Sequence, residues 1–152
     1  MASWKDVVAA EPEFAEHVRR TFAIRKHATL ATLRRDGSPR ISGTEVEFDD
    51  SGEIHLGMMP GSRKALDLRR DPRLALHCPT DDPPPDAPGA WLGDGKIAGL
   101  AVEVSDPRRT DQPHRFRVDV TEVVLTTVGT PADHLVIRSW HPDRGLERRE
   151  RR

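Results

Sequence analysis

The sequence predicts a mainly β chain whose strands close into a small antiparallel barrel. Three observations carry this. From Ala28 onward apolar and polar residues alternate with a period of two, the mark of half-buried strands. The runs 29–34, 40–48 and 53–59 are joined by Asp36-Gly37 and Asp50-Ser51-Gly52, which read as tight hairpin turns. Along 115–128 the apolar phase slips: Phe116, Val118 and Val120 occupy even positions, Val123 and Leu125 odd ones. A slip of one residue reverses a strand's faces, so a bulge or bend is expected near Thr121-Glu122. Long bent strands are what closing a small barrel requires.

The elements follow in order. Residues 11–27 read as a helix: Pro12 suits a first turn, Glu13 and Glu16 complement its positive end, and Phe14, Val18 and Phe22 form one apolar stripe. Residues 28–59 then form a three-strand meander with Ile54, Leu56 and Met58 on one face. A short helix runs from Ser62 to about Arg70, where Asp71-Pro72 disfavours continuation. Residues 73–78 return as a strand, with Leu74, Leu76 and Cys78 inward. Residues 79–95 hold Pro79, Pro83, Pro84, Pro85 and Pro88 and are expected to be a long loop, either mobile or folded over a site, with Trp91 as its anchor rather than a lid. Strands at 96–104, 115–128 and 135–140 complete the body, and 144–152 reads as a solvated basic tail. The tally is about seven strands in one domain spanning 1–152.

Composition narrows the function. The chain's 152 residues are enough to bury roughly two thirds of the unfolded surface. Its 24 Lys+Arg against 25 Asp+Glu leave no basic excess, so nucleic acid is not an expected partner. No apolar run is long enough to span a membrane and no signal-peptide core follows Met1; with a single cysteine, Cys78, this suits the cytoplasm. His17, His27, His55, His77, His114, His134 and His141 are scattered without metal-ligand spacing, and no nucleophile elbow or Walker loop is present.

One stretch breaks a local rule. In Met58-Met59-Pro60-Gly61-Ser62-Arg63-Lys64, Ser62 is a good N-cap, but two cations follow in the helix's first turn. The positive helix end disfavours each by about 0.3–1 kcal/mol. The plain reading is a solvated basic helix start. The functional reading is an anion site, where free N–H groups, a hydroxyl, a guanidinium and an ammonium meet a phosphate. Arg40 on the second strand would add a cation, and Met58-Met59 a polarizable surface for a flat ring.

The segments Ala28-Thr29-Leu30-Ala31-Thr32-Leu33-Arg34-Arg35-Asp36-Gly37-Ser38-Pro39-Arg40-Ile41-Ser42, Gly61-Ser62-Arg63-Lys64-Ala65 and Leu68-Arg69-Arg70-Asp71-Pro72-Arg73-Leu74-Ala75-Leu76 resemble the pyridoxamine-5′-phosphate-oxidase-like split β-barrel proteins, a superfamily that includes flavin- and F420-dependent oxidoreductases. The resemblance implies an antiparallel split barrel, a homodimer with cofactor sites at the interface, and FMN or F420 as cofactor. It implies hydride transfer to or from a small organic substrate. It assigns the cofactor phosphate to Ser62, Arg63 and Lys64, phosphate or ring contacts to Arg40 and Ser42, and the ring surface to Met58 and Met59. Trp140 and Arg144 match a C-terminal Trp and Arg that reach the partner's cofactor. No side chain is required as a catalytic acid or base. The alternative is a non-catalytic carrier, redox sensor or haem-related binding protein on the same barrel. Glu45, Val46 and Glu47 stand where the vitamin B6 oxidases have a lysine, and Gly57-Met58 where they have Tyr-Thr, so oxidation of vitamin B6 is not implied.

Overall fold

A computed structural model describes residues 2–152. Its strands are β1 (His27–Leu33), β2 (Pro39–Phe48), β3 (Ile54–Met58), β4 (Arg73–His77), β5 (Asp94–Glu103), β6 (His114–Val128), β7 (Leu135–His141) and β8 (Gly145–Arg151). Its helices are α1 (Trp4–Ala10), α2 (Pro12–Ala23) and α3 (Arg63–Arg70). The strands lie in the order β3-β2-β1-β4-β5-β6-β7-β8, and a further β3–β6 pairing closes the first six into a barrel. β7 and β8 extend the sheet outside it.

Strand β6 makes both arrangements possible. Its first part pairs with β3, from His55↔Arg117 to Met58↔His114, and its last part with β7, from Val123↔Trp140 to Val128↔Leu135. Between them Ala98 of β5 faces Glu122 while Gly99 faces Val120, so Thr121 is the extra residue of a bulge, where the phase slip predicted one. Gly99 is required there: an added Cβ would sit 2.2 Å from the Asp119 carbonyl oxygen. The gap left on β6 between β3 and β7 is covered by the N-terminal segment, with Val120 N–H donating to Ala2 O at 2.7 Å.

Inside the barrel Leu30, Ile54, Leu56, Leu76, Ile97, Phe116, Val118, Val123 and Leu125 are fully buried. One end is plugged by α1 and α2, which contribute Trp4, Val7, Phe14, Val18 and Phe22. Trp4 meets the Phe48 ring edge-on at 5.1 Å. At the other end, where β3 stops and β4 starts, α3 packs against β1.

The structure corrects three expectations. The N-terminal helix is two helices: α1, held by a Ser3–Asp6 capping box, and α2, which starts at Pro12 and stops at Ala23. With only Trp4 and Val7 buried on seven residues, α1 is too short to show a period, and pairing of His27 with Glu45 draws the end of the expected helix into β1. Residues 144–152 are not a free tail, because β8 pairs with β7 from His141↔Gly145 to Leu135↔Arg151. Backbone ladder bonds hold this strand, while its charged side chains blunt the outer edge. The strands therefore number eight. On β5 the barrel side carries Ile97, Gly99 and Ala101, while Val104, one residue beyond the strand, is 49% exposed. The proline-rich segment is strapped to α2 and to itself: His17 Nε2 meets Leu92 O at 2.5 Å, Arg25 pairs with Asp81, and Trp91 Nε1 donates to Asp81 O at 2.7 Å. Trp91 is thus an anchor, and the segment lies at the barrel end opposite α3.

Candidate functional site

The α3 end is built from polar contacts. After β3 the chain turns through Pro60 and Gly61, and Gly61 takes φ +71°, which a glycine adopts without strain. Its N–H donates to Nε2 of the buried His114 at 3.1 Å. His114 Nδ1 lies 3.0 Å from Arg69 Nη2, and Arg69 donates twice to Glu103, at 2.9 and 2.7 Å. These Arg69 bonds hold the Glu103 carboxyl below its ordinary range. The turn that presents Ser62 is therefore tied to α3, β5 and β6 together.

Ser62 caps α3, its Oγ accepting from Ala65 N–H at 3.4 Å, and no acidic residue offsets the two cations of the first turn. Those cations diverge. Arg63 is exposed and lines a hollow of about 830 Å³ between the β1–β2 hairpin and α3. Lys64 turns the other way and donates from Nζ to Gly43 O at 2.8 Å, and burial pushes its ammonium below its usual value. Arg40 also lines the hollow, but its Nε already donates to Asp67 Oδ2 at 2.7 Å. Asp67 is 3% exposed and accepts in addition from Thr32 Oγ1 at 2.8 Å and Arg70 Nη2 at 3.0 Å. Burial pushes this carboxyl up, but the three donors outweigh it and leave the group below its ordinary 3.8.

Along β2 from Arg40 lies a second recess, a broad groove of about 1250 Å³ over the outer faces of β2, β3 and the start of β6. Gly43 and Gly57 put two positions without side chains on its lining, and a Cβ added at either meets nothing within 4 Å. Met59, 78% exposed, stands at its edge. The two glutamates on its walls are matched: Glu45 lies 3.4 Å from Lys26, and Glu47 lies 3.2 Å from Arg115.

The sequence-predicted residues thus divide. Arg40 and Arg63 share the hollow, Lys64 and Met59 share the groove, and Ser62 stands at the junction as the helix cap. Met58 is 3% exposed with its side chain in the core, so only its backbone borders the groove. Ser42 is half-buried opposite Leu30. Trp140 is buried between Val123 and Leu146, and Arg144 sits in the β7–β8 turn 3.8 Å from Glu147; neither lines either recess. Sequence reasoning missed Asp67, Thr32, Arg70 and His114, which are joined only by folding. It also passed over Gly43 and Gly57, although a glycine inside a strand often marks close approach of a ligand or backbone. Among the described residues no group of three or more His, Cys, Asp or Glu is placed to hold a metal ion, and no helix is long and apolar enough to cross a membrane.

No protein-family model matches the sequence, and no curated protein is similar to it at the sequence level. The fold is shared with solved structures. A pyridoxamine 5′-phosphate oxidase-related, FMN binding protein from Nostoc punctiforme is 10% identical, with 93% of this chain and 96% of that one covered at a TM-score of 0.63. PhzG from Burkholderia lata, solved in complex with tetrahydrophenazine-1-carboxylic acid, is 11% identical over 95% and 90% of the two chains at 0.64. A heme binding protein from Mycobacterium smegmatis is 17% identical over 90% and 86% at 0.56. The chain therefore has the split β-barrel fold of the pyridoxamine-5′-phosphate-oxidase-like proteins.

Proposed function

We propose that this protein is an oxidoreductase in which FMN or the deazaflavin F420 exchanges a hydride with a small organic substrate. The observation that carries the reading is a pair of neighbouring recesses, one lined by Arg63 and the other by Lys64, that flank the start of α3. An arginine without an acidic partner stands at a helix start, and the bare positions Gly43 on β2 and Gly57 on β3 lie in the neighbouring groove. The first suits a phosphate, because guanidinium and free helix N–H groups converge there. The second suits a planar ring, because bare backbone permits close stacking. Arg63 and Ser62 would hold the phosphate, with Arg40 beside them. Lys64, Met59 and the backbone of 57–59 would border the ring. When bound, the ring supplies the redox chemistry. The protein's own work is to fix its position and to keep Arg40 oriented through Asp67.

The partner we propose is a second copy of this chain. On the outer barrel surface Ile41, Ala31, Ala75 and Ala98 stand side by side in register across β2, β1, β4 and β5. Ile41 is 75% exposed in this row. Outer barrel faces are ordinarily polar where they meet water, and a flat row of small apolar residues is what a paired copy covers. Ile41→Glu should then shift the protein from dimer to monomer in light scattering, and a wild-type monomer would remove this part of the proposal.

The protein is to be titrated separately with FMN, F420 and haemin. Micromolar binding of FMN or F420, followed by turnover of the reduced cofactor over a substrate panel, is the expected result. Binding of neither sinks the reading, and binding of haemin alone makes the protein a haem carrier. Arg63→Ala should cost about 1.5–3 kcal/mol of cofactor affinity, the range for a charge-assisted hydrogen bond. Unchanged affinity would show the clamp to be misassigned.

A further inference from the structure

The chain has four lysines, Lys5, Lys26, Lys64 and Lys96. Lys26 and Lys96 each lie 3.4 Å from a carboxylate, Glu45 and Asp94, which keeps the ammonium charged. Lys5 and Lys64 have no carboxylate partner among the described residues. Lys5 is exposed on α1, next to the acidic Asp6 of the same turn, and lines neither recess. Lys64 is half-buried, lines the groove, and stands in a first helical turn that holds no acid. Burial pushes its ammonium below the ordinary lysine value, and the positive end of α3 acts in the same direction. The groove's two glutamates cannot offset this, because Glu45 and Glu47 are engaged by Lys26 and Arg115.

The nitrogen is also held in place. Lys64 Nζ donates to Gly43 O at 2.8 Å, and a neutral amine making that one bond keeps its lone pair free. Gly43 thus fixes the nitrogen through its carbonyl and leaves the space beside it open, since an added Cβ there meets nothing within 4 Å. In the same groove Gly57 and Met59 offer bare backbone and a polarizable side chain to a flat ring. A tethered, partly desolvated amine facing open space is how a lysine becomes reactive toward carbonyl groups. We propose that Lys64 is a covalent capture site for a planar aldehyde, which joins its Nζ as an imine. The neutral amine adds its lone pair to the carbonyl carbon, and a proton passes from nitrogen to oxygen to give a carbinolamine. The oxygen then leaves as water while the C=N bond forms, so no oxidant or reductant is consumed. Hydride exchange with a bound ring asks nothing covalent of Lys64, so this activity goes beyond the preceding reading and does not rest on it.

The probe is salicylaldehyde, with cyclohexanecarbaldehyde as a puckered comparator of equal ring size. Each is added near neutral pH with cyanoborohydride, which reduces an imine to a stable amine, and peptide mass spectrometry reads the rate at every lysine. With salicylaldehyde Lys64 should label at least about ten times as fast as exposed Lys5. With cyclohexanecarbaldehyde the Lys64-to-Lys5 ratio should be several times smaller. Gly43→Val, whose side chain fills the approach to Nζ, should bring the Lys64 rate down to that of Lys5 and leave Lys5 itself unchanged. Gly43→Ala should do the same in part, and serves if the valine variant fails to fold. Labelling of Lys64 no faster than Lys5 overturns the proposal, as does a Lys64 rate indifferent to both Gly43 variants. Equal ratios for the two aldehydes also overturn it, since the groove then selects no planar ring. Fast Lys64 labelling in a protein that binds neither FMN nor F420 removes the oxidoreductase reading and leaves the capture site standing. Cofactor binding with slow Lys64 labelling does the reverse.

Discussion

The two ends of the barrel are closed by different physics. At the α1–α2 end the contacts are apolar and aromatic: Trp4, Phe14, Val18 and Phe22 are buried, and the Phe48 ring lies within 5.1 Å of Trp4 and 5.7 Å of Phe22. At the α3 end the equivalent space is held by a buried carboxylate with three donors and a buried histidine tied to a turn. Hydrophobic burial is non-directional and tolerant of geometry. A polar network is directional and costly if incomplete. The first end gives stability with no demand on orientation. The second fixes where Ser62, Arg63 and Arg40 stand, which is what a binding site needs.

Three substitutions sharpen the contrast, taken from the largest effect down. Trp4→Ala should remove about 3–5 kcal/mol of unfolding free energy, the range for truncating a buried aromatic, and leave the anion affinity of the folded fraction unchanged. Urea melts with and without ligand measure both. A large affinity loss at equal saturation of folding would show that the two ends are coupled. Asp67→Asn should cost about 1.5–3 kcal/mol, since it strips a buried charge from Arg40 and Arg70, and unlike Trp4→Ala it should also weaken cofactor binding by disordering Arg40. Ser62→Ala should cost about 0.5–1 kcal/mol, the low end for an N-cap, because the Oγ contact is long at 3.4 Å.

Acid separates the ends as well. The Asp67 carboxyl is held below its ordinary 3.8, so the folded state resists its protonation. The stability it contributes is complete above about pH 4 and is lost as pH falls through the depressed folded value. Urea midpoints should therefore drop more steeply below pH 4 in wild type than in Asp67→Asn. Parallel curves would mean that Asp67 carries no pH-dependent stability.

Much of the fold was legible in advance for definite reasons. The period-two runs named the meander, the phase slip of β6 located its bulge at Thr121, and Ser62 announced the start of α3. Strand β8 was not legible, because Glu147, Arg148, Arg149, Glu150 and Arg151 have no alternation and are held only by backbone pairing with β7. In the candidate site the cations were visible as a breach of helix-end electrostatics. Their separation into a hollow and a groove was not.

The sequence by itself determined what is local: strand periodicity, hairpin turns, the cap at Ser62, and the adjacency of Arg63 and Lys64. These depend on residues within a few positions of one another. Tertiary structure decided which way those two cations face. It set Asp67 against Arg40 across 27 positions, His114 beneath Gly61 across 53, and Arg34 and Arg35 of the β1–β2 hairpin beside α3. Such pairings depend on barrel closure, where β6 meets β3, and no local pattern encodes which distant charges closure will bring together.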